Sequence, residues 1–189
     1  MTETANLIEI RWHGRGGQGA VTSAELLAKA AIDEGKYAQA FPSFGPERRG
    51  APVMAFNRIN KTEQIRVRAG IEEPDVVVVL DSGLVSIANV TAGLKDGGKI
   101  IINSKRPLEE VASEFDDKWT VAVVDATTIA KEVLGVNIVN TTMLGALLRA
   151  TDVVKLESLY EPLDERFGRL AERNRNSMKK AFEDTRIKE

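Results

Sequence analysis

Residues 7–35 read LIEIRWHGRGGQGAVTSAELLAKAAIDEG, and the order of patterns inside them decides the fold. Leu7 to Trp12 has the composition of a short strand. Ala20 to Glu34 places Ala20, Ala24, Leu27, Ala28 and Ala31 on one face at helical spacing, with Gly35 to close the helix. Between strand and helix, Gly14-Arg15-Gly16-Gly17-Gln18-Gly19 satisfies G-x-G-x-x-G, with four glycines in six positions. Glycine admits positive φ and close approach of backbone to a guest, and a helix start offers unpaired N–H groups and a positive dipole end. A phosphate or carboxylate is the natural guest. The alternative is a tight strand-to-helix turn with no ligand; the number of glycines exceeds what such a turn requires.

Working outward, Lys36 to Ala40 forms a second strand candidate, and FPSFGPERRGAP (residues 41–52) is too rich in Pro, Gly and charge for a regular element. VMAFNRI and EQIRVRA, joined at Asn60-Lys61, predict two strands of an antiparallel hairpin. DVVVVLD is a continuous β-branched run, as in a parallel strand buried on both faces, and residues 82–94 are an imperfect helix candidate. GGKIIINS and WTVAVVDA repeat the buried-strand pattern around a short helix in PLEEVASEF, where Pro107 sits at a permitted early position. Beyond them only helices are expected, over Thr127–Leu134, Thr141–Ala150, Leu156–Phe167 and Leu170–Lys188. The alternation predicts one α/β domain over residues 7–189: a doubly wound, mostly parallel sheet with an antiparallel hairpin and C-terminal helices. Ligands of such sheets gather beyond the carboxyl ends of the strands. The glycine turn, the loop after Ala40, Asp81-Ser82, Asn103-Ser104 and Asp125 all fall there, and they point to one crevice.

Composition narrows the chemistry. Twenty-six basic against 28 acidic residues leave a net charge of -2, which gives no basic field for nucleic acid or an anionic membrane. The absence of cysteine excludes disulfides, thiolate nucleophiles and any iron–sulfur cluster held by the chain's own thiolates. No apolar run approaches a membrane span and the N-terminus lacks a signal pattern, so a cytoplasmic address is the expectation. No Gly-Lys-Ser/Thr follows the glycines, which excludes a P-loop. A dinucleotide site asks for an acid at the end of the second strand, near Ala40 or Phe41, and none is there; Asp33 and Glu34 fall at the helix end. His13, the single histidine, has no paired acid and reads as a structural hydrogen-bonder rather than a base. Arg48 and Arg49 form either a solvated cluster or a phosphate clamp. Asp81 and Asp125 read as helix caps, and Asn140 as an N-cap whose side chain could also face the crevice. No zinc spacing, nucleophile elbow or kinase signature is present, so neither a catalytic residue set nor a metal site is expected.

The segments HGRGGQG, SFGPERRG and NTTMLGA, in that order and in the context of DVVVVLD and IIINS, closely resemble the gamma subunits of the 2-oxoacid:ferredoxin oxidoreductases. The resemblance implies one subunit of an assembly that decarboxylates a 2-oxoacid, pyruvate above all, reduces ferredoxin and releases an acyl-coenzyme A. It implies alpha, beta and delta sister subunits, with thiamine diphosphate, Mg2+ and iron–sulfur clusters mainly on those sisters. By the same match Gly14, Arg15, Gly16, Gly17, Gln18 and Gly19 would approach coenzyme A. Arg48 and Arg49 would approach its phosphates or the shared interface, and Asn140 would reach the crevice.

Overall fold

The computed structural model describes residues 6–43 and 50–188. Strand β1 (Leu7–Arg15) runs through the glycine turn into helix α1 (Ala20–Asp33), followed by β2 (Tyr37–Pro42), β3 (Pro52–Asn60) and β4 (Val76–Val79). Strand β5 (Lys99–Asn103), helix α2 (Leu108–Ala112), β6 (Thr120–Val124), α3 (Ala126–Val133) and α4 (Asn140–Ala150) come next. Helices α5 (Tyr160–Phe167) and α6 (Ala171–Asp184) precede a short strand β7 (Arg186–Lys188).

Among the described residues the strands make one sheet of order β2-β3-β1-β4-β5-β6-β7. Strands β1, β4, β5 and β6 are mutually parallel, while β3 runs antiparallel to both β1 and β2, and β7 antiparallel to β6. The continuous apolar run of β4 is explained by two covered faces. Val76 and Val78 join one core with Ile10, Trp12, Leu27 and Leu144, and Val77 and Val79 join a second with Leu84, Ile100, Ile102 and Val123. On the first face Trp12 Nε1 donates to Asn57 Oδ1 (2.8 Å), and Asn57 Nδ2 donates to the Ala24 carbonyl (2.8 Å). This buried relay fixes β1, β3 and α1 to one another with its polar groups paired.

Helix α4 is buried along nearly its whole length because α6 covers it. The NTTMLGA motif makes that seam. Thr141 Oγ1 donates to Asn174 Oδ1 (2.7 Å), Thr142 and Ser177 share a hydroxyl hydrogen bond (2.6 Å), and Gly145 lies directly against the Met178 carbonyl. Small residues let the two backbones approach, and the hydroxyls satisfy each other inside the contact.

Three sequence expectations are corrected. EQIRVRA is not a strand, and the antiparallel partner of residues 53–60 on the outer side is β2. Both edges of β3 are already taken, by β2 and β1, so the segment that follows it cannot form a hairpin with β3. Residues 82–94 make a single 3₁₀ turn at Ser82–Leu84 followed by irregular turns. Asn89 (φ 34°) and Gly93 (φ 70°) leave helical space, and Gly93 packs so closely on the Glu72 carbonyl that a side chain would collide with it. At the C-terminus α6 stops at Asp184 and the chain returns as β7 instead of continuing as helix to Lys188.

Candidate functional site

The carboxyl ends of the parallel strands do converge. A cleft of about 430 Å³ is lined by Gln18 from the turn after β1, Asp81 and Ser82 after β4, Asn103 to Arg106 after β5, and Thr127 from the first turn of α3, with Asn137 and Val139 closing one side. The fifth strand end, the loop after β2 that carries Arg48 and Arg49, lies outside the described residues.

The four glycines divide their work. Gly14 belongs to β1, where a Cβ would stand 3.0 Å from the Leu80 side chain, so it serves packing. Gly16 pairs with the far side of the following loop, its N–H donating to the Ala51 carbonyl (2.9 Å) and its carbonyl accepting from Gly50 N (3.1 Å). Gly17 (φ 92°) and Gly19 (φ 83°) supply the left-handed conformations that the turn requires. Above Gly17 there is open space; above Gly19 a Cβ would meet the Asn140 amide at 2.6 Å. Strand geometry and pairing thus account for two glycines, and the turn for the other two.

Gly19 caps α1 with no side-chain hydrogen bond, so the first-turn amides of a 14-residue helix have no cap of their own. The start of α4 meets it there. Asn140 packs on Gly19, and Ser23 Oγ bridges the two helix starts, bonded to the carbonyls of Gly19 and Asn140 (3.2 Å each). Asn140 is the first residue of α4 rather than its N-cap, which is Val139. It is 6% exposed, and it sits behind Gly19 rather than in the lining of the cleft. The two helix starts meet at this point, and their unpaired amides and dipoles add positive potential there.

Arg15 and Gln18 brace the turn. Arg15 Nε donates to Asp81 Oδ2 (2.8 Å) and its Nη1 to the Gly50 carbonyl (3.3 Å), so the guanidinium is committed. Gln18 accepts from the Arg15 backbone N–H (2.8 Å) and donates to Asp81 Oδ2 (3.3 Å). Partial burial works to raise the pKa of Asp81, but the hydrogen bonds from Arg15, the Gly83 amide and Gln18 outweigh it and hold the carboxyl below its usual range. Asp81 caps the 3₁₀ turn through Gly83 N and Asp125 caps α3 through Thr128 N (2.9 Å each), as the sequence predicts. The sequence places Asn103 at a strand end beside the crevice but gives it no individual role. Asn103 donates to the Leu80 carbonyl and to Thr127 Oγ1 and accepts from Thr127 N, tying β4, β5 and α3 together at the cleft floor. An asparagine closing a β-branched run was the available signal.

His13 holds a structural hydrogen bond. It is buried and accepts a hydrogen bond at Nε2 from Arg11 Nε (3.0 Å), which places its proton on Nδ1. Burial, reinforced by the Arg11 charge, pushes its pKa down to about 4. Arg11 itself is buried and has no carboxylate partner among the described residues; it binds the carbonyls of Val90 and Ala92 and so clamps the irregular 82–94 segment to β1. Between pH 6.5 and 4 the unfolded histidine takes up a proton that the folded one refuses. Stability is therefore fully present above pH 6.5 and falls as pH drops toward 4, by up to about 3 kcal/mol from this residue. Urea unfolding across that window should show the slope, and His13→Gln should flatten it; an unchanged slope in the variant would contradict the assignment.

The sheet order also argues against a dinucleotide. In the classical dinucleotide fold the second strand flanks the first and brings its terminal acid to the ribose, whereas here β3 separates β2 from β1, and β2 ends in Ala40, Phe41 and Pro42. No helix among the described residues is long and apolar enough to cross a membrane.

The sequence pattern of the family described as pyruvate ferredoxin/flavodoxin oxidoreductase matches residues 9–184. The chain is 54% identical over 185 residues to the pyruvate/ketoisovalerate oxidoreductases common subunit gamma of Thermococcus litoralis, covering 97% of this chain and all of that one. It is 50% identical to the pyruvate synthase subunit PorC of Methanothermobacter thermautotrophicus, over 94% of this chain and 96% of that one. The crystal structure of pyruvate oxidoreductase subunit PORC from Thermotoga maritima superimposes with a TM-score of 0.86 at 38% identity, covering 97% of this chain and 99% of the other. A family pattern that spans nearly the whole described sheet, joined to full-length relatives at half identity, means that this chain belongs to the pyruvate ferredoxin/flavodoxin oxidoreductase family.

Proposed function

We propose that this chain, the gamma subunit of a 2-oxoacid:ferredoxin oxidoreductase, presents its glycine turn to the anionic part of coenzyme A in the assembled enzyme. The reaction would be that of a pyruvate synthase: pyruvate, coenzyme A and oxidised ferredoxin give acetyl-coenzyme A, CO2 and reduced ferredoxin. The observation that carries the reading is the meeting of the α1 and α4 N-termini at Gly19 and Asn140, beside a cleft and beneath open space at Gly17. Backbone amides and aligned helix dipoles favour a phosphate there, and Lys105 and Arg106 line the adjoining cleft. Arg15 and Gln18 would hold the turn in shape, and Arg48 and Arg49 would come to the same phosphates or to the subunit interface.

Thiamine diphosphate and its Mg2+ would supply carbanion chemistry, and iron–sulfur clusters one-electron transfer, from alpha, beta and delta sister subunits. This chain, which has no cysteine, would contribute orientation and an anion-favouring surface. Because relatives are named as subunits common to pyruvate and ketoisovalerate oxidoreductases, a second reading has the same chain serve a 2-oxoisovalerate enzyme as well. The complex would work in the cytoplasm. Anaerobic purification of the tagged chain from its host tests this: the eluate should reduce viologen only when both a 2-oxoacid and coenzyme A are present, with pyruvate preferred. An eluate holding the intact complex but indifferent to coenzyme A would defeat it.

A further inference from the structure

We infer that residues 64–68 form a docking arm that adds as a strand to the exposed sheet edge of a sister subunit, one carrying acidic side chains opposite Arg66 and Arg68; the inference rests on the gamma-subunit reading. The segment QIRVR has β-strand composition, yet it lies outside the sheet with Val67 54% exposed. It is nevertheless held. Asn60 Oδ1 accepts from the amides of Thr62 and Glu63 (2.9 Å each), turning the chain out of β3, and buried Ile71 anchors the other end.

Between those anchors the carbonyls of Ile65 and Val67 face the sheet. Gln39 Nε2 donates to the first (3.1 Å) and Arg58 Nη1 to the second (3.4 Å), while Arg58 Nη2 reaches the Gly70 carbonyl (3.3 Å). Alternate carbonyls turned to one side are the geometry of a strand, in which each residue's N–H and C=O point the same way and successive residues point oppositely. The N–H and C=O groups of Gln64, Arg66 and Arg68 therefore face outward, and none has a partner among the described residues. Arg58 is itself fixed by Glu9 (2.7 Å) and stacked over Phe41, so the support beneath the arm is rigid.

An extended segment with one side tied down and the other unpaired is a preformed template for β-augmentation. Arg66 and Arg68, both exposed, make no ion pair among the described residues, and alternate positions place them on one face of the arm. Carboxylates at the opposing cross-strand positions complement them. A second copy of this chain would set like charges opposite one another, which disfavours self-pairing.

Hydrogen exchange of the free chain and of the complete oxidoreductase tests the arm. The amides of Arg66 and Arg68 should exchange at least tenfold more slowly in the complex. Arg66→Pro, which removes an outward N–H, should cut the amount of chain recovered with its sister subunits at least tenfold while leaving the melting temperature of the free chain unchanged. Arg66→Ala, which keeps the N–H and removes the charge, should cut it less. Equal exchange in an active complex, or full recovery with Arg66→Pro, overturns the arm and leaves the gamma-subunit reading standing. Protection already present in a self-associated free chain overturns it in favour of a second copy. A wild-type chain that captures no sister subunit overturns the reading and the arm together.

Discussion

Gly145→Ala should destabilise the protein by about 3 kcal/mol, although helix propensity alone would make it stabilising by about 1 kcal/mol. Gly145 lies in the middle of α4, a position where glycine is normally a weakness. Here a single methyl group would be driven into the Met178 carbonyl and crowd the Phe182 amide on α6. Both obstacles are backbone, so no rotamer change relieves them; the helices must move apart. That separation would stretch the Thr141–Asn174 and Thr142–Ser177 bonds in the same seam, adding buried polar groups that lose partners. Overpacking and lost hydrogen bonds together exceed the propensity gain. Urea denaturation checks the sign directly: a variant as stable as the parent would mean that the seam yields freely, and that NTTMLGA is not a packing motif.

Gly19→Ala should cost about 2–4 kcal/mol, against about 1 kcal/mol for Gly17→Ala, even though both glycines have positive φ. The backbone strain is similar. The difference lies in the space above each Cα, which is open at Gly17 and filled by the Asn140 side chain at Gly19. Asn140 cannot swing clear easily, because it is buried and its backbone carbonyl is held by Ser23. Displacing it would spread the two helix starts, so the Gly19 variant should also weaken coenzyme A saturation of the assembled enzyme, several-fold beyond any loss in folded protein. Equal stability losses for the two variants, measured by thermal unfolding, would show that the Gly19–Asn140 contact does not hold the helix ends together.

Much of this was legible in the residues. The strand–turn–helix at residues 7–35, the doubly covered β4 and β5, and the caps at Asp81 and Asp125 all follow from local pattern. What local pattern could not convey was competition for sheet edges. EQIRVRA has the alternation of a strand, but β3 is already paired on both sides by β1 and β2, a long-range fact that no window of sequence contains. Residues 82–94 failed as a helix because Asn89 and Gly93 leave helical space, and Gly93 is held there by a carbonyl brought in from Glu72. At the site, the four glycines favoured a ligand because they exceed a turn's needs, but Gly14 and Gly16 serve packing and strand pairing, which accounts for the excess without one. Asn140 was legible as a helix start, but its service as a wedge against Gly19 depends on α1 and α4, more than 100 residues apart in the chain, meeting end to end.

The anion at the glycine turn is tested most directly by two variants of equal shape at one position. Asn and Asp both tolerate positive φ better than other side chains, and open space above Gly17 admits either. Bulk and strain are then matched in Gly17→Asn and Gly17→Asp, and only charge differs. In the assembled oxidoreductase the Kd for coenzyme A should be at least tenfold weaker for Gly17→Asp than for Gly17→Asn, about 1.4 kcal/mol, and the gap should narrow as salt rises. Equal coenzyme A affinity for the two variants would mean that no anion sits at the turn.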